Sequence, residues 1–253
     1  MNKISAVIIT LNEEEKLGAC IDSLIDVADE IVVVDSFSTD NTKKIALEKG
    51  ARFIEHNFEG YIAQKNFALT CAGYDYVLSL DADEVLSNEL KKSIIDAKTS
   101  GFTHLGYSMN RLTFFEGKPV KHSGWYPDVK LRLFNRHKGK WQGLNPHDEF
   151  KFHQKSRVKH LKGDLLHYSF DSENEYLKQM QNFARLSAKS YFENRKNAGV
   201  LKIVVSPALR FIRDYFFNGG VWHGKTGLKI CKYNAEATAL KYRYLRQMYN
   251  ERG

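Results

Sequence analysis

Apolar runs and amphipathic segments alternate through the first hundred residues of this chain. Four short runs rich in branched apolar side chains have the length and continuity of strands that are buried on both faces of a parallel sheet. These runs cover residues 4–10, 31–34, 52–54 and 76–80. The pattern therefore predicts four strands, each followed by a segment with a different periodicity.

The segments between the strands carry apolar residues at helical spacing. We expect Asn12, with Glu15 three residues on, to cap the first helix. Ser38 or Thr39 is expected to cap a second helix that stops at Gly50, since glycine is favoured just after a helix end. The remaining predicted helices are 61–69 and 87–99.

This alternation of strands and helices predicts an α/β fold: a mostly parallel sheet with helices on both faces. From about 103 to 170 the pattern changes to short alternating segments with turns, which predicts an added β-region. From Asp171 onward the spacing is helical, with breaks expected near Gly199, Pro207 and 219–220. We therefore expect a domain over 1–170, made of the halves 1–100 and 101–170, and a helical extension over 171–253.

Charge is unevenly distributed along the 253 residues. Residues 1–150 carry 18 Lys and Arg against 22 Asp and Glu, whereas residues 151–253 carry 20 against 8, and the whole chain has a net charge of +8. A basic C-terminal third implies an anionic partner such as phospholipid headgroups, a phosphorylated glycan or nucleic acid. The three cysteines show no metal-binding or disulfide spacing, which favours a reducing compartment. With neither a signal peptide nor an apolar stretch of about 18 residues, the chain is expected to be cytoplasmic.

Two carboxylates, Asp81 and Asp83, directly follow the predicted strand at 76–80. Side chains two apart on an extended strand point the same way, so both carboxylates are expected to converge beyond its carboxyl end. In an open α/β sheet this is the end where ligands bind. Two converging carboxylates need a compensating charge, so this placement suggests Mg²⁺ or Mn²⁺ holding a substrate diphosphate.

Four features at these strand ends together resemble the GT-A (Rossmann-like) nucleotide-sugar transferases of the inverting family two, over residues 1–100. The features are 10–13 after the first strand, Asp35 at the end of the second, 64–66 on the helix before the fourth, and 81–83. The resemblance implies that Thr10, Leu11, Glu13, Asp35, Lys65 and Asp81 bind the nucleotide. Within this set, Asp35 would accept a hydrogen bond from uracil, and Lys65 would lie near the diphosphate.

In the second half, further motifs lie at 124–128, 132–134, 146–149 and 167–168. Together they resemble the branch of this family that adds glucose to the inner-core heptose of lipopolysaccharide. The resemblance implies a general base at Asp148 or Glu149, of which we favour Asp148 by register. It implies a metal held by Asp81, Asp83 and His167, and an acceptor side formed by Trp125, Tyr126, Asp128 and Arg132. The expected reaction moves a hexose, favoured to be glucose, from a UDP-sugar to a glycan or glycolipid.

The C-terminal region mixes apolar and aromatic residues with cations over 200–217. We expect it to bind an anionic membrane surface, which would place the protein peripherally on the cytoplasmic face of the inner membrane. Two other functions stay open at this point. One is a nucleotidyltransferase, although the loop at 10–13 lacks the glycines of that class. The other is a non-enzymatic basic module for nucleic acid or membrane, although no nucleic-acid-binding signature is present, and no nucleic-acid partner is expected.

Overall fold

A computed structural model describes residues 2–144, 147–196 and 199–251 of the chain. Its first part follows the predicted strand–helix alternation. The strands are β1 Ile4–Thr10, β2 Glu30–Asp35, β3 Arg52–Glu55 and β4 Tyr76–Asp81, and the helices are α1 Leu17–Asp22, α2 Thr42–Glu48, α3 Tyr61–Cys71 and α4 Asn88–Thr99. All four strands were predicted to within one residue at each end, and all four helices were predicted, although α1 begins well after its predicted cap at Asn12.

Strand β1 lies at the centre of the parallel half of the sheet. It pairs in parallel with β2 on one side and β4 on the other, so that the order is β3-β2-β1-β4. All seven residues of β1 are buried, as its unbroken apolar run predicts. This register brings Thr10 level with Asp35, and Ile9 level with Asp81. The carboxyl ends of three strands therefore meet at one edge.

Helices cover both faces of this sheet, because successive side chains of each strand point to opposite sides. On one face, Ile4, Ala6 and Ile8 of β1 pack in a core with apolar residues of α1, α2 and α4. On the other face, Val7 and Ile9 pack with α3. The predicted fold class is confirmed.

Beyond β4 the sheet continues with antiparallel strands, which confirms the predicted β-region. These strands are β5 Glu84–Leu86, β6 Gly106–Phe115, β7 Lys118–Pro119, β8 Asp128–Asn135 and β11 Val158–Phe170; β9 Gly139–Leu144 and β10 His147–Phe152 form a separate two-stranded sheet. The full order of the main sheet is β3-β2-β1-β4-β8-β6-β11-β5, with β7 paired to β6. Strands β8 and β5 thus lie on opposite sides of β6 and β11, and each brings charged residues to the site described below.

The chain divides into two compact units. The first contains the described residues up to 112, together with 128–143 and 147–168, and the second contains 113–127 and the residues from 169 onward. The helices of the second unit are α5 Glu173–Glu193, α6 Val200–Ile212, a π-helical turn Arg213–Phe217, a 3₁₀ turn Gly220–His223 and α7 Gly224–Asn250. The helical C-terminal region is confirmed, whereas the domain boundary at residue 170 stays a prediction. Within the described residues, no helix combines the length and apolar composition needed to cross a bilayer.

Two of the predicted helix caps are wrong. Helix α1 begins at Leu17, not after Asn12, and α2 begins at Thr42, with no side-chain cap in either case. The Asn12 carboxamide oxygen instead accepts a hydrogen bond from the Thr39 backbone N–H at 2.8 Å, while Ser38 Oγ accepts one from the Asn12 N–H at 2.7 Å. These side chains join the loops after β1 and β2 to each other, which removes them from capping.

The break predicted at Pro207 is also wrong, because this proline lies inside α6. A proline in a helix removes one backbone hydrogen bond and costs about 3 kcal/mol. Helix α6 packs along α7 in the same unit, and this packing offsets the loss. By contrast, Gly199 is the N-cap of α6, and Gly219 has a φ of +70° before the 3₁₀ turn, so these two predicted breaks are confirmed.

Candidate active site

Asp81, the last residue of β4, lies between two buried cations. Lys65 Nζ of α3 is 3.1 Å from its Oδ1, and Arg132 Nη2 of β8 is 2.9 Å from its Oδ2. The side chains of Lys65 and Arg132 are only 4% and 3% exposed, so their charges are poorly screened by water. Burial alone would raise the pKa of Asp81, but Lys65 and Arg132 outweigh it and hold that pKa well below its usual range. Asp81 is therefore an anion at every physiological pH.

Glu84 belongs to the same group of charges, which we call the charge cluster: Lys65, Asp81, Glu84, Arg111 and Arg132. Glu84 is fully buried on β5 and accepts hydrogen bonds from the Asp81 backbone N–H at 3.0 Å and from Arg132 Nη2 at 2.5 Å. Arg111 Nη1 of β6 lies 3.6 Å from the same carboxylate. Burial would lower the pKa of Arg132, yet Glu84 and Asp81 raise it above its ordinary value. Strands β4 and β5 thus contribute the acidic residues, and β6 and β8 the arginines, of one mostly buried network.

Asp148 and Glu149 lie next to each other on β10 but have different surroundings. Asp148 Oδ2 is 2.8 Å from Lys65 Nζ, and its side chain is 13% exposed. Glu149 is 63% exposed and pairs with Lys151 at 2.7 Å. Adjacent strand residues point to opposite faces, so only one of the two can face the charge cluster. The structure brings Asp148, and not Glu149, to Lys65.

Asp83 and His167 form a second pair, separate from the cations around Asp81. His167 Nε2 of β11 lies 3.2 Å from Asp83 Oδ2, and both side chains are mostly buried. Burial raises the pKa of Asp83, but the nearby His167 lowers it below its usual range. Among the described residues, no three His, Cys, Asp or Glu side chains form a cluster suited to a metal ion. Of the three predicted ligands, the structure therefore pairs two, while Asp81 contacts cations.

The predicted uridine-binding residues lie at the carboxyl ends of β1 and β2. Asp35 is buried and accepts hydrogen bonds from the Ser38 backbone N–H at 2.7 Å and from Ser38 Oγ at 2.5 Å. The buried Oγ1 of Thr10 has no hydrogen-bond partner, while Leu11 is 49% exposed. The backbone N–H of Glu13 donates to Thr42 Oγ1 at 2.9 Å. These contacts fix the loops beside Asp35, and the nucleotide-binding roles stay predictions.

The predicted acceptor-side residues are divided between the two compact units. Asp128 pairs with Arg111 at 2.8 Å and with Lys130 at 3.0 Å, and Arg132 belongs to the charge cluster. Trp125 and Tyr126 belong to the second unit, together with residues 113–127. There the indole N–H of Trp125 donates to Asn234 at 3.3 Å, and its ring lies among the aromatic rings of Phe115, Phe170 and Tyr176. The acceptor-side assignment stays a prediction. Pro146, part of the motif at 146–149, lies outside the described residues.

Sequence reasoning missed several residues of the site. Glu84 stands directly after the acidic pair, but its burial beneath Asp81 depends on β5 pairing with β11, which no local pattern shows. Trp141 of β9 lies over Lys65 Nζ at 4.8 Å and over the Arg132 guanidinium at 5.9 Å. Such contacts favour the cationic forms of both side chains. Tyr61, at the start of α3, has its pKa raised by burial and by the nearby acidic residues.

The fold and the acidic site at the strand ends are those expected of a GT-A transferase, and a family comparison identifies the class. The family described as "Glycosyl transferase family 2" matches residues 5–155. The chain belongs to this family, and it is a glycosyltransferase of the GT-A fold. This removes the nucleotidyltransferase and the non-enzymatic module from consideration.

Individual relatives agree with this assignment. The chain is 31% identical over 221 residues to the lipopolysaccharide core biosynthesis glycosyltransferase LpsC of Rhizobium meliloti, covering 85% of this chain and 82% of LpsC. Among solved structures, the S. aureus TarS 1–349 chain is similar with 16% identity and a TM-score of 0.48, covering 99% of this chain and 92% of that chain. A further similar structure is glucosyl-3-phosphoglycerate synthase from Mycobacterium tuberculosis, solved with Mn²⁺, UDP and glucosyl-3-phosphoglycerate. The match covers 45% of this chain and 44% of the synthase chain, with 26% identity and a TM-score of 0.36. Likenesses at these TM-scores establish no shared ligand.

Proposed function

We propose that this enzyme transfers a hexose, favoured to be glucose, from a UDP-sugar to a glycan or glycolipid of the lipopolysaccharide core, with inversion at the anomeric carbon. The observation that carries the proposal is the position of Asp148, which Lys65 holds beside Asp81 at the ends of the central strands. The carboxylate that would deprotonate the acceptor hydroxyl thus lies next to the charge cluster that would bind the donor. The relative named for lipopolysaccharide core biosynthesis supports the acceptor class.

In this scheme Asp148 is the general base. It takes the proton of the acceptor hydroxyl as the oxygen attacks the anomeric carbon, and the bond to UDP breaks on the opposite side of the sugar. Proton transfer by a positioned side chain contributes typically 10²–10⁴-fold to a rate. The burial of Asp148 and its 2.8 Å contact with Lys65 support it over Glu149, whose side chain lies in solvent beside Lys151.

The residues present fit a divalent cation, although they do not form a complete set of ligands. Asp83 and His167 offer one carboxylate and one imidazole within 3.2 Å of each other. The Oδ1 of Asp81 is buried and lies 3.1 Å from Lys65 Nζ without a hydrogen bond, so a cation bound there would share this oxygen with the lysine. Mg²⁺ is usually bound by one or two carboxylates together with water and substrate phosphates. When bound, such an ion would neutralise charge on the departing diphosphate.

The cations of the site have a role that does not depend on the metal. Lys65 and Arg132 already neutralise Asp81, so the end of β4 carries less net negative charge than its acidic sequence suggests. Preorganised positive charge near a diphosphate stabilises charge that develops on the leaving group. We also propose that the enzyme works on the anionic cytoplasmic face of the inner membrane, where a glycolipid acceptor would be found.

The proposal is tested by calorimetry of UDP binding, with and without Mn²⁺. We expect binding that requires Mn²⁺ and is lost in Asp83→Ala. As a matched control, Asp22→Ala removes a half-exposed carboxylate that pairs with Lys49 at 2.7 Å, and it should bind UDP normally. Transfer from UDP-glucose to lipopolysaccharide core acceptors is then measured with the same proteins. If neither condition gives UDP binding, the donor assignment is wrong.

A further inference from the structure

The second unit exposes an unusual amount of apolar surface in one short segment. Of the 19 large apolar side chains that are exposed among the described residues, nine fall between 201 and 222. They are Leu201, Val204, Val205, Leu209, Ile212, Phe216, Phe217, Val221 and Trp222. Single exposed apolar residues are ordinary, but a contiguous exposed set marks an interaction surface.

Helical geometry places the members of this set that lie on α6 on one side of the helix. Residues 204 and 205 follow 201 by three and four positions, 209 follows 205 by four, and 212 follows 209 by three. At this helical spacing the five side chains form one stripe. In a typical surface helix the apolar stripe faces the core and the polar side faces water. On α6 the stripe is exposed: Leu201 by 75%, Val204 by 66% and Leu209 by 61%. The apolar stripe of α6 therefore faces solvent and not the core.

Beyond α6, the π-helical turn and the 3₁₀ turn add aromatic side chains to the stripe. Phe217 and Trp222 are both 81% exposed. The π-helical turn that carries Phe217 is held by Asp214, which is fully buried and accepts hydrogen bonds from Arg210 Nε at 2.5 Å and from Asn234 Nδ2 at 3.0 Å. The exposed ring of Phe217 therefore lies on an anchored backbone.

The sequence around the stripe has an excess of positive charge. Residues 199–235 contain six cations, namely Lys202, Arg210, Arg213, Lys225, Lys229 and Lys232, and one acid, Asp214. Asp214 is fully buried and paired, and Lys229 pairs with Glu116 and Glu173, so the net positive charge of this surface comes from the other cations. A second copy of the same surface would be repelled by like charges. An anionic surface with an apolar interior would be attracted to both features.

We propose that this stripe, from Leu201 to Trp222, is an insertion face that enters the outer part of an anionic phospholipid bilayer. Helix α6 has 13 residues, or about 20 Å, and is too short for the roughly 30 Å of a hydrocarbon core, so it lies in the plane of the interface. The apolar stripe and Phe217 enter the acyl region, Trp222 sits at headgroup depth, and Lys202 and Lys225 contact the phosphates. The inference rests on the proposed function in one respect: it specifies how the enzyme reaches a membrane-borne acceptor.

Sedimentation of the full chain with vesicles tests this face. The vesicles contain phosphatidylcholine alone or phosphatidylcholine with about one-third phosphatidylglycerol. We expect binding to the anionic vesicles, at least about tenfold weaker in the double variant Phe217→Ser, Trp222→Ser, since two aromatic side chains lose their burial. Leu47→Ser makes a comparable change at a 55%-exposed position on α2 and should bind like the natural chain. Lys202→Glu with Lys225→Glu should weaken binding to the anionic vesicles.

Tryptophan fluorescence gives an independent readout. Of the three tryptophans, Trp141 is 3% exposed and Trp125 is packed among aromatic rings, so a blue shift on vesicle addition reports on Trp222. The shift should vanish in Trp222→Leu, which keeps the apolar character. Equal vesicle binding by the double variant and the natural chain would overturn the proposal. A dimer in solution that the double variant converts to monomer would overturn it too, by assigning the face to a second copy.

UDP binding of the same variants separates this inference from the proposed function. Normal UDP binding with lost vesicle binding supports the insertion face. Vesicle binding by a chain that fails to bind UDP refutes the donor site but leaves the insertion face intact.

Discussion

Replacing Glu84 by glutamine tests the charge cluster under the end of β4. The substitution keeps the shape of the side chain and removes its charge. Glu84 is fully buried, and it accepts hydrogen bonds from Arg132 at 2.5 Å and from the Asp81 backbone N–H at 3.0 Å. In the variant, the Arg132 guanidinium, which is 3% exposed, loses its contact with the Glu84 carboxylate and keeps the one with Asp81, while Arg111 loses its 3.6 Å contact with Glu84.

The expected cost follows from this burial. Removing one partner of a buried ion pair typically costs about 3–5 kcal/mol, because the remaining charge is left uncompensated. Since Asp81 still faces Arg132, we expect a value near the lower end, about 3 kcal/mol. For a chain of this size, that corresponds to a fall in Tm of roughly 6–12 °C. It is also a large share of the total stability of about 5–15 kcal/mol that is usual for folded proteins.

Chemical and thermal unfolding followed by circular dichroism measures this difference. Glu48→Gln is the matched control, because Glu48 is 64% exposed and lies 3.9 Å from Lys44 in a surface pair. Such a pair contributes about 0–1 kcal/mol. If Glu84→Gln destabilises the protein no more than Glu48→Gln does, the cluster does not hold the strands together and the reasoning fails.

Three further predictions concern the base, the pH dependence and the helical unit. Asp148→Asn should lower turnover by about 10²–10⁴-fold with Glu149→Gln close to normal, and the reverse order would move the base to Glu149. Burial would raise the pKa of Asp29, but hydrogen bonds from Lys98 and from the Ile4 backbone N–H lower it below its usual value. The ionised Asp29 therefore stabilises the fold fully above about pH 4, and this effect is lost as the pH falls further. The unfolding free energies of the natural chain and of Asp29→Asn should then converge in acid. A difference that stays constant with pH would contradict this. Gly227→Ala places a Cβ against the carbonyl oxygen of Gly220 and should destabilise by about 1–3 kcal/mol, whereas an ordinary helical position would gain stability.

The parallel half of the sheet could be predicted from the sequence because its signal is local. Strand β1 is apolar throughout and is buried throughout, and the acidic pair after β4 marks the edge where the site forms. The helix starts were predicted less well. Asn12 and Ser38 are good capping residues, but in the fold they link two loops across 26 residues of sequence. Propensity alone cannot show which of two suitable partners a short polar side chain takes.

The charge cluster could not be predicted from local sequence patterns, because its members come from distant parts of the chain. Glu84 and Arg132 are 48 residues apart, and they meet because β5 and β8 occupy separate positions in the sheet order. The choice between Asp148 and Glu149 likewise depends on which face of β10 points toward Lys65. The exposed stripe of α6 was visible as a mixture of apolar and basic residues, but its direction toward solvent depends on how α6 packs on α7.

The double contact of Lys65 has a consequence for the order of events in the site. One ammonium group serves Asp81 at 3.1 Å and Asp148 at 2.8 Å, two carboxylates that stand on different strands. A ligand that draws the lysine toward itself at one end changes the electrostatic surroundings at the other. The two ends are then thermodynamically linked, and linkage is reciprocal: any factor by which the first ligand changes the affinity for the second must also apply in the opposite direction. A single shared side chain is enough to make the two halves of the site respond to each other.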